Sequence, residues 1–352
     1  MKKTLIFLVL SFLLCACAPQ PVNDPAGTAT EQSAATQAFQ PPTTQPEAVY
    51  RHPLNGQVLS APFDGQVTAV VINNIRQALP QYGIRDADLI WEVETEGGIT
   101  RFLAMYTDLE DVAAIGPVRS SRTYFNSLAA GYGAPLIHCG GSGKALSGMH
   151  SSTDTLESWV HINEQENGRF FYREQDRYQN QGYDWEHTLF TTGEKLVQAL
   201  REKNMNDPAA PELGLSFDEN AILSGGGAEN VKVQFRGGKT TEFSYDDQSD
   251  FYRAAQYGIP LTDALYGEEM TFSNVLILHA RQSFQNDGYT DRAYYTLTGS
   301  GSGYACLGGR MTPILWHRQT VSEPFTFTCA DGSPLILRPG RTYAGITGLT
   351  NP

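Results

Sequence analysis

Apolar residues fall into three patterns along the chain. From Leu5 to Leu14 they form an almost unbroken block behind Met1-Lys2-Lys3. From Ala18 to about Ala48 they show no period, scattered among Pro, Thr and Gln as in Gln40-Pro41-Pro42-Thr43-Thr44-Gln45-Pro46. From Leu54 onwards short strand-like runs are cut by Gly, Asn, Asp and Ser, the punctuation of a folded chain.

Within the folded part, Val67-Thr68-Ala69-Val70-Val71-Ile72 is a β-branched run stopped by Asn73-Asn74, and Asp88 to Glu96 followed by Ile99 to Tyr106 reads as a hairpin about Gly97-Gly98. Ser120 to Ala130 and Gly193 to Lys203 read as helices. After a proline-containing stretch, Asn204 to Gly214, the pattern turns to strands: Val231 to Phe235, Thr240 to Tyr245, Asn274 to Ala280, Ala293 to Thr298, Met311 to His317 and Pro324 to Cys329. The fold class is therefore α+β, with a mixed α/β N-terminal domain over 51–205 and a smaller strand-rich domain over 215–352.

The first block is too short to span a bilayer and has the flanks of a secretory signal. Leu14-Cys15-Ala16-Cys17 places Leu at −3, small residues at −2 and −1, and Cys at +1, the spacing of a bacterial lipobox. Residues 1–16 are then a signal peptide, and Cys17 is the acylated first residue of a mature chain held on the extracytoplasmic face of the membrane. Cys15 is a poorer acceptor, because bulky Leu13 and Leu14 stand before it. Two acyl chains suffice for stable anchoring at ~0.8 kcal/mol per buried CH₂. Residues 17–50 follow as a disordered tether, whose reach is roughly 30 Å for thirty such residues.

Charge narrows the partners. The whole chain carries −13, and loss of Lys2 and Lys3 with the signal makes the mature form more acidic still. That excludes nucleic acid as a partner and leaves wall polymer or an envelope protein. The remaining cysteines are Cys139, Cys306 and Cys329, and a Cys306–Cys329 disulfide stays open.

Three constellations carry candidate chemistry. A two-residue Gly97-Gly98 turn would set Glu94 opposite Arg101 and gather Glu92, Glu94 and Glu96 on one face. That face is either solvated, with one weak ion pair, or it lines a cleft that holds a cation or sugar hydroxyls. The spacing names no metal. In Gly116-Pro117-Val118-Arg119-Ser120-Ser121-Arg122, Ser120 or Ser121 reads as an N-cap, and Arg119 and Arg122 sit three apart at a helix start. They can fork towards one anion or simply pair with the acidic hairpin. In Leu136-Ile137-His138-Cys139-Gly140-Gly141-Ser142-Gly143-Lys144-Ala145 a buried strand enters a Gly-rich turn, but a phosphate loop would need Gly at His138 and Ser or Thr at Ala145. His138 is either a satisfied core histidine or, with Ser142, the edge of a site. Neither Ser142 nor Cys139 has an evident base, so no catalytic nucleophile is assigned.

These segments, together with Ala87-Asp88-Leu89-Ile90-Trp91-Glu92 and Glu96-Gly97-Gly98-Ile99-Thr100-Arg101-Phe102, stand in the order found in the YerB-type bacterial lipoproteins, which the chain resembles over nearly all its folded part. The C-terminal Asn274-Val275-Leu276-Ile277 and Gly299 to Ala305 fit as well. The resemblance implies a lipoprotein of two domains and little about chemistry. A shorter stretch is similar to LytR-CpsA-Psr enzymes, which transfer glycopolymers from polyprenyl pyrophosphate to the wall. That similarity implies a metal-dependent phosphotransferase, with Asp88 near Mg²⁺ and Arg119 and Arg122 near pyrophosphate. The expectation is that Asp88, Glu92, Glu94, Arg101, Arg119, Arg122, His138 and Ser142 bind a ligand together. No catalytic residue is named, and catalysis itself stays open.

Overall fold

The structure is a computed structural model that describes residues 49–149, 161–205, 212–286 and 290–349. Cys17 and nearly all of the expected tether lie outside the described residues, as does much of the 204–214 stretch. Among the described residues no helix is long and apolar enough to cross a membrane.

One large mixed sheet runs through both halves of the chain. Its strand order is Gly226–Gly227, Arg310–Arg318, Gly299–Leu307, Asn274–Asn286, Thr342–Leu349, Leu89–Glu94, Thr100–Tyr106, Thr68–Asn73, Leu136–His138 and His161–Asn163. The joining strand is Thr342–Leu349, which pairs in parallel with Asn274–Asn286 on one side and Leu89–Glu94 on the other. A mixed α/β N-terminal part thus meets a strand-rich C-terminal part through backbone hydrogen bonds, since an unpaired edge at either strand would leave buried N–H and C=O groups unsatisfied.

The central strands are covered on both faces, and their sequences say so. Thr68–Asn73, Leu89–Glu94 and Thr100–Tyr106 are buried along their whole length, so they read as near-continuous apolar runs. On one face the Thr123–Gly131 helix packs Tyr124, Phe125 and Leu128 against Val71, Trp91 and Leu103. The other face carries the Gly193–Glu202 helix and a second antiparallel sheet built on Asn230–Gln234, Thr240–Asp246 and Phe251–Gln256. In Asn230–Gln234 burial alternates strictly, with Val231 and Val233 inward and Asn230, Lys232 and Gln234 exposed, as a one-sided strand requires.

The hairpin departs from its expected register. Its turn contains three residues, Glu96 to Gly98, with Thr95 N–H bonded to the Ile99 carbonyl. Gly97 and Gly98 both sit at φ 70°, and a Cβ on Gly98 would lie 2.6 Å from Cα of Gly237. The extra turn residue shifts every pair by one. Glu94 therefore faces Thr100, Val93 faces Arg101 and Glu92 faces Phe102. One further correction concerns the helix start, and the structure also places the two thiols whose pairing the sequence left open. The N-cap of Thr123–Gly131 is Arg122, with no side-chain cap, rather than Ser120 or Ser121. Cys306 and Cys329 are free, and they pack against the hydrophobic clusters on opposite faces of the sheet.

Candidate functional site

The strands Thr68–Asn73, Leu136–His138 and His161–Asn163 run parallel, so their C-terminal ends, Asn73, His138 and Asn163, lie on one edge of the sheet. Clefts at such strand ends are where open α/β sheets place ligands. The Gly116–Arg122 loop is stitched across this edge. Asn73 N–H donates to the Pro117 carbonyl at 2.8 Å and Arg119 N–H to the Val71 carbonyl at 2.9 Å. Cys139 N–H then donates to Arg119 O, and Ser121 N–H to Gly140 O, each at 3.0 Å. Gly116 is required at its place, because its φ is 153° and a Cβ would meet Leu189 O at 2.9 Å.

The loop brings three arginines together. Arg122 forks onto Glu96 through Nε at 2.5 Å and Nη2 at 2.7 Å, and Arg292 reaches the same carboxylate at 2.9 Å. Burial pushes the Glu96 carboxyl up, but these guanidinium contacts outweigh it and hold it down at about 2. Arg119 pairs with Glu186 at 3.0 Å. Arg101, 4% exposed, donates from Nη1 to the Ser120 carbonyl at 2.6 Å, and its Nε has no acceptor among the described residues. Burial first, then the charges of Arg122 and Arg119, lowers its basicity to about 9. The expected Glu94–Arg101 pair does not exist, because the register places them on different rungs.

Beneath the loop lies a buried histidine pair. The His138 Nδ1–H donates to the Gly140 carbonyl at 2.8 Å, a group that can only accept, so the neutral ring presents Nε2 as acceptor to Nδ1 of His161 at 3.2 Å. Burial depresses His138 to about 4. Ser142 is buried on the same turn, where its Oγ accepts from Ala145 N–H at 3.3 Å. The neighbouring Cys139 thiol donates to Glu164 at 3.2 Å and is pushed up to about 11, chiefly by burial. A thiol so held is a poor nucleophile.

The other two carboxylates of the hairpin lie elsewhere. Glu92 and Glu94 are both buried, so they form neither a solvated face nor the wall of an open cleft. Glu92 sits between the two sheets in a closed network. It accepts from Asn74 at 2.9 Å, Thr100 at 2.6 Å, Thr241 at 2.6 Å and Tyr343 at 2.7 Å, and it pairs with buried Lys239. Glu94 accepts the backbone N–H of Arg236 at 2.9 Å, and burial raises its pKa. Asp88 is at the opposite end of the Leu89–Glu94 strand from Arg101, on the order of 15 Å away. There it accepts from Asn55 at 2.6 Å and from the Thr107 hydroxyl at 2.6 Å. The edge thus gathers Arg101, Arg119, Arg122, His138 and Ser142, and leaves Asp88, Glu92 and Glu94 apart. Among the described residues no three His, Cys, Asp or Glu side chains converge as a metal site.

The same edge contains residues that sequence reasoning passed over. Asn73 approaches the His187 ring at 3.0 Å, and His187 adjoins Glu186 at 3.6 Å. Asn73 had a signal, the Asn-Asn stop of a β-branched run. His187 and Glu186 had none, because they arrive from a 3₁₀ turn more than a hundred residues away.

Residues 56–206 match the model described as protein of unknown function (DUF3048), N-terminal domain, and residues 231–344 match that of the DUF3048 C-terminal domain. The chain belongs to the DUF3048 family of YerB-type proteins. The protein described as "Putative lipoprotein YerB" of Bacillus subtilis (strain 168) is 26% identical over 313 residues, covering 84% of this chain and 88% of its own length. The crystal structure of YerB from Bacillus subtilis superposes with a TM-score of 0.70, over 84% of this chain and 96% of that one. The likeness to YerB therefore extends over both halves of the chain.

Proposed function

We propose that this YerB-type protein is a lipid-anchored envelope protein, tethered at Cys17 outside the membrane, whose strand-end loops bind an anionic wall-associated ligand. The carrying observation is the convergence of Arg101, Arg119 and Arg122 on the edge where Asn73, His138 and Asn163 end. Guanidinium groups match carboxylate and phosphate oxygens in geometry as well as charge. His138 and Ser142 shape the turn beneath them. Asp88, Glu92 and Glu94 serve the fold and lie apart from the ligand.

The test is binding of the full lipidated chain, in neutral-detergent micelles, to purified wall polymer and to lipid-carrier fractions. Arg119→Ala should cost ~1.5–3 kcal/mol of binding, the range for a charge-assisted hydrogen bond, while thermal unfolding changes little. A large fall in melting temperature with unchanged binding would make Arg119 only the structural partner of Glu186.

A further inference from the structure

The three arginines of the strand-end edge are not equivalent. Arg122 has Glu96 and Arg119 has Glu186, whereas Arg101 has no carboxylate partner among the described residues. It is also the most deeply buried of the three, at 4% exposure. A buried guanidinium with an unfilled donor is costly, since an unsatisfied buried donor loses its hydration with nothing in return and a charged one loses more. One neighbour repeats the deficit. Arg119 Nε is likewise buried without an acceptor among the described residues, and the half-buried Ser120 stands next to it in the chain.

We infer that Arg101 is the anchor of a phosphate subsite, and that the anionic ligand of the strand-end loops presents a phosphate ester to Arg101, Arg119 and Ser120. The inference rests on the anion-binding reading given above and specifies it. The donors stand on three separate side chains, and a tetrahedral phosphate ester presents terminal oxygens in three directions, whereas a carboxylate presents two in one plane. The carboxylate chemistry of this edge is already present in Glu96 and Glu186, and it leaves Arg101 unserved. Closing a phosphate over Arg101 would fill the missing acceptor and compensate the buried charge in one step.

Equilibrium dialysis of the full lipidated chain, in neutral-detergent micelles, against inorganic phosphate tests this. Saturable binding is expected, with acetate competing at least tenfold more weakly. Arg101→Gln should weaken phosphate at least tenfold. Arg101→Lys, which keeps the charge but loses the fork, should fall between. Arg119→Gln supplies a second reading if Arg101→Gln does not fold. Competition by glycerol 3-phosphate alone points to a soluble or polymer-borne ester, and competition by phosphatidic acid doped into the micelles points to a lipid headgroup. Equal competition by acetate, or wild-type phosphate affinity in a folded Arg101→Gln, overturns the inference. If wall polymer binds while phosphate does not, the phosphate subsite fails and the broader reading stands. If neither binds, both fail.

Discussion

Glu92 and Lys239 form a buried ion pair across the two sheets, with side chains 0% and 3% exposed and 147 positions apart in the chain. Neither charge would survive there alone. Glu92 is further held by Thr100 of its own hairpin, Thr241 of the small sheet and Tyr343 of the joining strand, so one carboxylate binds three parts of the fold. Such pairs are weak sources of net stability but costly to break on one side.

Lys239→Met should therefore cost about 3–5 kcal/mol, because it strands Glu92 in the core. The double variant Lys239→Met with Glu92→Gln should recover much of that loss. Urea unfolding of the single and double variants measures the coupling directly. Strictly additive losses would show that the two side chains do not depend on each other.

Glu96 gives a pH signature. Its carboxyl is held at about 2, below its ordinary 4.5, so the folded state favours the ionised form. That contribution is fully present above pH 4.5 and is lost as pH falls towards 2. Its size is about 3 kcal/mol at 1.36 kcal/mol per pH unit. Glu96→Gln should lower stability by that order at pH 7 and by much less near pH 2.5. A gap between wild type and variant that stays constant across this range would assign the pairing no role.

His138 acts in the opposite chemical sense but on the same side of the pH scale. Burial lowers it to about 4, so the fold favours the neutral ring and the unfolded chain binds the proton first. Stability from this residue is intact above pH 6.5 and declines as pH falls from there towards 4, by about 3 kcal/mol at most. His52, His187 and His279 are depressed by burial too and add to the trend. Replacing His138 with Gln should flatten part of the fall in melting temperature between pH 7 and pH 5. An unchanged slope would leave the effect to the other histidines.

The anchor is tested at Cys17. Cys17→Ser should block lipid attachment and release the protein from membranes or leave its signal uncleaved. Fractionation and incorporation of labelled lipid report the outcome, and normal cleavage with full membrane retention would refute the assignment.

Gly237 offers a test of the contact between the hairpin turn and the small sheet. A Cβ placed there would stand 2.0 Å from Cα of Gly98, closer than any backbone can yield cheaply. Gly237→Ala should destabilise by about 1–3 kcal/mol, the usual cost of overpacking. Unchanged urea unfolding would mean that the two turns separate readily.

The sequence by itself determined what depends on neighbours along the chain. Chain entry into Thr68–Asn73, the two strands of the hairpin, the Gly193–Glu202 helix and the alternating Asn230–Gln234 strand are all legible, because period and punctuation are local properties. So is the arginine pair on a Gly-Pro loop. The Thr342–Leu349 strand was not legible: Gly345 and Gly348 interrupt its pattern, and nothing local says that it lies between segments from opposite ends of the folded chain. The same limit governed the carboxylates. Glu92 and Glu94 look like a polar face when only their own strand is considered, and they are buried because Lys239, Thr241 and Tyr343 arrive from far away to receive them. A third turn residue then moved Arg101 off Glu94. Charge and alternation are written along a strand, but which charge is neutralised depends on register and on distant partners, and only the tertiary fold left Arg101 buried without a carboxylate partner among the described residues.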